Sequence, residues 1–120
     1  MIRYINCFTK DPALSTQDFR AYWQSAEFDE LIKKVAKFTS AVRYSKNLTL
    51  QVSMGEHLAS DRGLAQPYDG IVEYYWESAQ HLPNIYASGE GQALSEEAIL
   101  YQSQFIDLAN STAFFTEYQS

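Results

Sequence analysis

The sequence predicts an α+β domain in which a four-stranded antiparallel sheet carries two main helices on one face. Stretches rich in β-branched and aromatic residues alternate with stretches of helical spacing in the order β-α-β-β-α-β, which is the split βαβ plan. The 120 residues fit one such domain, 1–120, because single cores typically take roughly 100 to 150 residues. Aromatic residues make up 15% of the chain, with nine Tyr and seven Phe. That exceeds the need of one small core and points to a ligand cavity or a subunit interface.

Ile2 to Thr9 mixes β-branched and aromatic residues and is ended by Asp11-Pro12, so it reads as the first strand. Ser15 precedes a helical pattern with Asp18 three positions on, close to a capping box. One helix is expected from there to about Ala36, with Phe19, Tyr22, Trp23, Ala26, Leu31 and Val35 at helical spacing. Ala41 to Val52 alternates as a long second strand, and Ser53 to Pro67, with Gly55, Gly63 and Pro67, reads as an exposed excursion. Tyr68-Asp69-Gly70 is a turn that launches the third strand, Ile71 to Glu77. A second helix is expected from about Ser78 to Ala87, where Pro83 fits only in the first turn. Glu90 to Tyr101 is a further helical stretch and Phe114 to Tyr118 the closing strand. The whole is the ferredoxin-like β-α-β-β-α-β arrangement, with no internal repeat and no interdomain linker.

The net charge is −6 and the basic residues are scattered apart from Lys33, Lys34 and Lys37. A phosphate backbone needs a basic footprint, so nucleic acid is not expected as a partner. No apolar run approaches a membrane span and the start lacks the regions of a signal peptide, so a soluble, cytoplasmic protein with no membrane partner is expected. The lone Cys7 excludes an internal disulfide and reads as a small buried filler. His57 and His81 are the only histidines and neither has the spacing of a metal ligand pair, so no metal and no dedicated cofactor are expected.

Strand alternation separates two faces of the sheet. In the third strand Val72, Tyr74 and Trp76 are expected under the helices, with Ile71, Glu73, Tyr75 and Glu77 on the open face. By the same reasoning Ile5 and Cys7 of the first strand go to the helices, and Tyr4, Asn6 and Phe8 to the open face. In the second strand Val42, Tyr44 and Lys46 oppose Arg43, Ser45 and Asn47, and one of Phe114 and Phe115 reaches the open face. An aromatic set with isolated polar groups suits a small, flat, partly apolar ligand. Tyr4, Asn6, Phe8, Tyr75 and Phe114 are the ligand-binding candidates there. Glu73 is the candidate proton-transfer acid, since a dry cavity disfavours its charged form; the alternative is a structural pairing with Arg43 or Lys46 across the sheet, or with the partner subunit. His57, in an excursion that could cover a pocket, is a weaker catalytic candidate.

Three phrases carry a resemblance. They are Asp18-Phe19-Arg20-Ala21-Tyr22-Trp23, then Tyr68-Asp69-Gly70-Ile71-Val72-Glu73-Tyr74-Tyr75-Trp76, then Phe105-Ile106-Asp107 before Phe114-Phe115. In that order the chain resembles the small EthD-type proteins of the dimeric α+β barrel superfamily, whose helix carries F-x-x-Y-W and whose mid-chain strand reads Y-D-G-[V/I]-x-E-x-x-[FW]. The resemblance runs from Arg3 to Phe115 and implies a homodimer joined through the open sheet face. The family's helix phrase usually continues Y-W-x-x-x-H-x-P, and this chain has Glu27 and Asp29 at the His and Pro positions. Glu27 therefore either takes over acid/base work beside Tyr22, a ligand-binding candidate, or marks a lost activity. The resemblance implies an aromatic, polyketide-like or lactone ligand and cofactor-independent cyclisation, isomerisation or oxygenation in a degradation or biosynthetic pathway. The alternative is a non-catalytic binding or accessory protein of such a pathway. Asp107 is expected to cap or orient the last strand.

Overall fold

The computed structural model describes residues 1–119. Strands β1 (Ile2–Phe8), β2 (Arg43–Leu48), β3 (Gly70–Trp76) and β4 (Thr112–Glu117) form one sheet in the order β2-β3-β1-β4, with every neighbouring pair antiparallel. Helices α1 (Thr16–Trp23), α2 (Ala26–Phe38), α4 (Leu82–Ala87) and α5 (Gly89–Gln102) accompany it, and α3 (Ser53–Arg62) lies between β2 and β3. This is the expected ferredoxin-like α+β arrangement. Phe19 and Trp23 of α1, Phe28, Leu31 and Ile32 of α2, and Leu94 of α5 form one core with Val72, Tyr74 and Trp76 of the sheet.

Three element boundaries differ from expectation. The single long helix is two, because Ser15 caps α1 by accepting from the Asp18 amide and Ser25 starts a second helix by accepting from the Phe28 amide. Lys46 stabilises the break: its ammonium donates to the Trp23 carbonyl at the end of α1 and pairs with Asp29 in the first turn of α2. The second strand stops at Leu48 rather than Val52, and the excursion contains the ten-residue α3, closed by Gly63 at φ 65°. α2 also ends in a left-handed residue, Ser40 at φ 60°, which turns the chain so that the Ala41 amide donates to the Ala36 carbonyl.

Pro83 sits in the first turn of α4, where its missing N–H costs nothing. His81 is half-buried with Nε2 2.8 Å from the Thr39 carbonyl oxygen, which also accepts from the Trp76 indole at 3.0 Å. None of the helices is long and apolar enough to cross a membrane.

Candidate functional site

Register decides which side chains share a face, because residues directly opposite on paired strands point the same way. Tyr4 faces Tyr74, Asn6 faces Val72 and Phe8 faces Gly70, so these three residues lie on the helix side. Their assignment to the open face is corrected. Arg3, Ile5 and Cys7 instead join Tyr75, Glu73 and Ile71 on the open face, with Arg43, Ser45 and Asn47 from β2. Bulk explains the exchange: Tyr4 and Phe8 fill the deep space under the helices, where Phe8 packs 6.2 Å from Trp23. On β4, Phe114 faces Ile5 and belongs to the open side, whereas Phe115 faces Tyr4.

On the open face, polar groups form a network closed on itself. The Tyr75 hydroxyl donates to Glu73 Oε2 at 2.6 Å, and Arg3 Nη1 stands 4.0 Å from Oε1. Arg3 Nε donates to Thr116 Oγ1 at 3.3 Å. The alternative Arg43 and Lys46 pairings with Glu73 do not form: the Arg43 guanidinium stands over the Tyr75 ring, 4.1 Å from its centroid, and Lys46 is on the other side of the sheet. Tyr118 stands edge-on to Tyr75 at 5.6 Å. Cys7 is buried beside this network, and burial, with the Glu73 charge second, pushes its thiol pKa up and keeps it protonated.

Phenols converge on the helix side. Tyr4 packs 4.5 Å from Phe115, Tyr74 is stacked on Trp76 at 6.1 Å, and Tyr86 of α4 reaches the same space. Burial raises the pKa of Tyr4, Tyr74 and Tyr86, most strongly for Tyr74, which also feels Tyr86, Tyr4 and Tyr44. All three are therefore neutral donors at ordinary pH. Their hydroxyls make no hydrogen bond among the described residues, yet no fully buried side-chain N or O there lacks a partner. It follows that each hydroxyl keeps contact with solvent, on the side of the sheet where α4 packs. Asn6 lies on the same side of the sheet with one group spent, its Nδ2 donating to the Val72 carbonyl at 3.2 Å.

The other candidates stand apart from both sets. Glu27 is exposed on α2 and borders an open groove of 660 Å³ between α2 and α5, where Lys34 and Glu97 pair at 2.8 Å. His57 is exposed on α3. Tyr22 stacks on Phe105 at 5.2 Å with the rings 2° from parallel, within the helical layer. The sequence reading missed Tyr74 and Tyr86 as a pair, since it counted Tyr74 with the apolar residues under the helices.

The sequence profile of the EthD domain matches residues 11–107. This chain belongs to the EthD family. No curated protein sequence matches it. Among solved structures it is similar to a dimeric protein of unknown function with a ferredoxin-like fold from Bacteroides fragilis (8% identity, 98% of this chain and 95% of that one, TM-score 0.61). It is also similar to an EthD family protein from Bacillus halodurans (13% identity, 99% and 100%, TM-score 0.60) and to an antibiotic biosynthesis monooxygenase (12% identity, 100% and 100%, TM-score 0.57). At such identities the likeness is one of fold.

In this EthD protein the three sequence phrases meet. Trp23 lies directly on the backbone of Gly70, so that a Cβ there would stand 2.4 Å from the indole. Asp69 fastens the start of β3 by accepting from the Lys10 amide at 2.7 Å, while its own amide donates to the Phe8 carbonyl at 2.8 Å. Phe105 is fully buried against Tyr22 and Phe28. Asp107 donates its amide to Thr9 and accepts from Asn110 and Ser111 just before β4. These phrases hold the helical layer on the sheet.

Proposed function

We propose that this EthD protein binds a flat, partly apolar metabolite of aromatic, polyketide-like or lactone type in a crevice between the sheet and α4, and that it works as a homodimer joined through the open sheet face. The observation that carries the first part is that Tyr4, Tyr74 and Tyr86 are neighbouring neutral donors on the helix side whose hydroxyls have no protein acceptor among the described residues and reach solvent. Such groups stabilise a ligand that brings its own carbonyl or enol oxygens, while the half-exposed Phe115 beside Tyr4 supplies an apolar wall. Neutral phenols aimed at a carbonyl oxygen also stabilise the enolate that forms when an acidic C–H or O–H of the ligand gives its proton to solvent water. That is the shared electronic demand of cyclisation, isomerisation and cofactor-independent oxygenation.

Glu73 supports the dimer face in this reading, because both of its oxygens face partners and it lies across the sheet from the crevice. A second reading, a non-catalytic binding or accessory protein, is favoured by Glu27, which replaces the family histidine and points to solvent. Either way the protein is soluble and cytoplasmic. The test is quenching of Trp fluorescence by a panel of hydroxyaromatic and β-diketone compounds, with Tyr74→Phe as the probe. Loss of one buried hydrogen bond lowers affinity about tenfold at unchanged melting temperature. Equal affinity in wild type and Tyr74→Phe refutes the crevice as the site, and ligand turnover separates the enzyme from the accessory protein.

A further inference from the structure

The helix of the β2–β3 excursion buries none of its residues on its own chain. Thr49 closes its base, with the amide donating to the Asp69 carbonyl at 3.0 Å and the hydroxyl to the Tyr68 carbonyl at 2.6 Å. Beyond that clasp stands α3, none of whose residues is buried. Gly63 ends the helix in a left-handed cap, and the Leu64 amide donates back to the Ala59 carbonyl at 2.8 Å. This six-residue return brings Leu64 toward Leu58, the usual apolar partner in such a cap. Leu58 follows Met54 by one helical turn. The result is a stripe of Met54, Leu58 and Leu64, each more than half exposed.

A ten-residue helix is marginal in water without tertiary packing. The radius of gyration, 15.4 Å, also exceeds the about 14 Å of a compact chain of this length, as a projecting arm requires. We infer that α3 packs its Met54–Leu58–Leu64 stripe against a second copy of this chain, at the rim of the open sheet face. The inference rests on the dimer proposed above and adds a second contact to it. Two observations select a second copy as the occupant. The arm leaves from the ends of β2 and β3, one residue beyond the open-face pair Asn47 and Ile71, so its base adjoins the edge of that face. Charge is also complementary: the open face carries Arg3 and Arg43 against Glu73, and Arg43 has no carboxylate partner among the described residues, whereas α3 carries Glu56 and Asp61 against Arg62.

The experiment is sedimentation equilibrium together with amide hydrogen exchange over residues 53–62, on three full-length proteins: wild type, Met54→Ser/Leu58→Ser, and Phe114→Arg on the open face. The expected result is a wild-type dimer that weakens about tenfold or more in the arm variant. The α3 amides should be protected in the wild-type dimer and unprotected in the monomer that Phe114→Arg produces. An arm variant that dimerises like wild type overturns the inference and leaves the open-face dimer standing. Protection of α3 that persists in the Phe114→Arg monomer shows the arm packing on its own chain and overturns it too. A wild type that is monomeric at 100-fold dilution series and at high concentration alike refutes the dimer itself and the arm contact with it.

Discussion

Gly70→Ala should cost this protein about 2 kcal/mol, and the cost should vanish in part when Trp23 is made smaller. Gly70 sits at the start of β3 beneath the indole, and an added Cβ would stand 2.4, 2.5 and 2.8 Å from three ring atoms. An ordinary contact needs about 3.4 Å or more, so the ring or the strand must move by roughly 1 Å. The ring has nowhere to go, being 1% exposed and packed by Phe8, Phe19 and Phe28. Overpacking of this kind costs about 3 kcal/mol at the upper end of its range. Restricting the unfolded chain returns about 0.5–1 kcal/mol. The net of about 2 kcal/mol corresponds to a fall in melting temperature of about 8 °C for a chain this long. The assay is urea unfolding of Gly70→Ala, Trp23→Leu and the double variant. A clash with the ring predicts that the double variant is at least ~1 kcal/mol more stable than the sum of the single effects implies. Additivity within about 0.5 kcal/mol would refute the claim that the helix and strand phrases of the family are a packing pair.

Two further outcomes test the two faces of the sheet. Tyr74 holds its proton longer folded than unfolded, because burial raises its pKa; above the unfolded value of about 10 the unfolded chain ionises first, so stability falls by up to ~1.4 kcal/mol per pH unit, and melting curves from pH 9 to 11 should show that slope flattened in Tyr74→Phe. Glu73→Gln should lose the Arg3 charge pairing and weaken the Tyr75 hydrogen bond, for about 1 kcal/mol and about 4 °C; an unchanged melting temperature with turnover down roughly 100-fold would instead establish Glu73 as a proton-transfer acid.

The fold was legible because its signals are long-range patterns. Four extended stretches and two helical zones survive errors of several residues at each boundary, and the Asp69-Gly70 phrase marks the entry to β3 without ambiguity. The breaks were less legible for a physical reason. Phe19, Trp23, Leu31 and Val35 keep apolar spacing across residues 24–25, so periodicity sees one helix; what divides it is a serine cap and a lysine arriving from β2. α3 lacks a buried face, so hydrophobic spacing had no core to report.

The sheet faces show where alternation stops being informative. In β3 the two sets differ in kind, Val72, Tyr74 and Trp76 against Glu73 with Tyr75, and the first set lies under the helices as its apolarity requires. In β1 both sets are mixed: Ile5 and Cys7 are more apolar per atom, but Tyr4 and Phe8 are larger. A face under helices selects for volume as well as for apolarity, since an unfilled gap costs contact energy on every wall. The register settles the matter by pairing Tyr4 with Tyr74. That exchange moves the candidate site. With Tyr4 and Asn6 on the helix side and Glu73 on the other, the acid and the aromatic cradle no longer share a cavity. What Tyr4, Tyr74 and Tyr86 leave on the helix side is hydroxyls without protein acceptors among the described residues, so a residue type counted for its ring in the sequence offers a polar group in the fold.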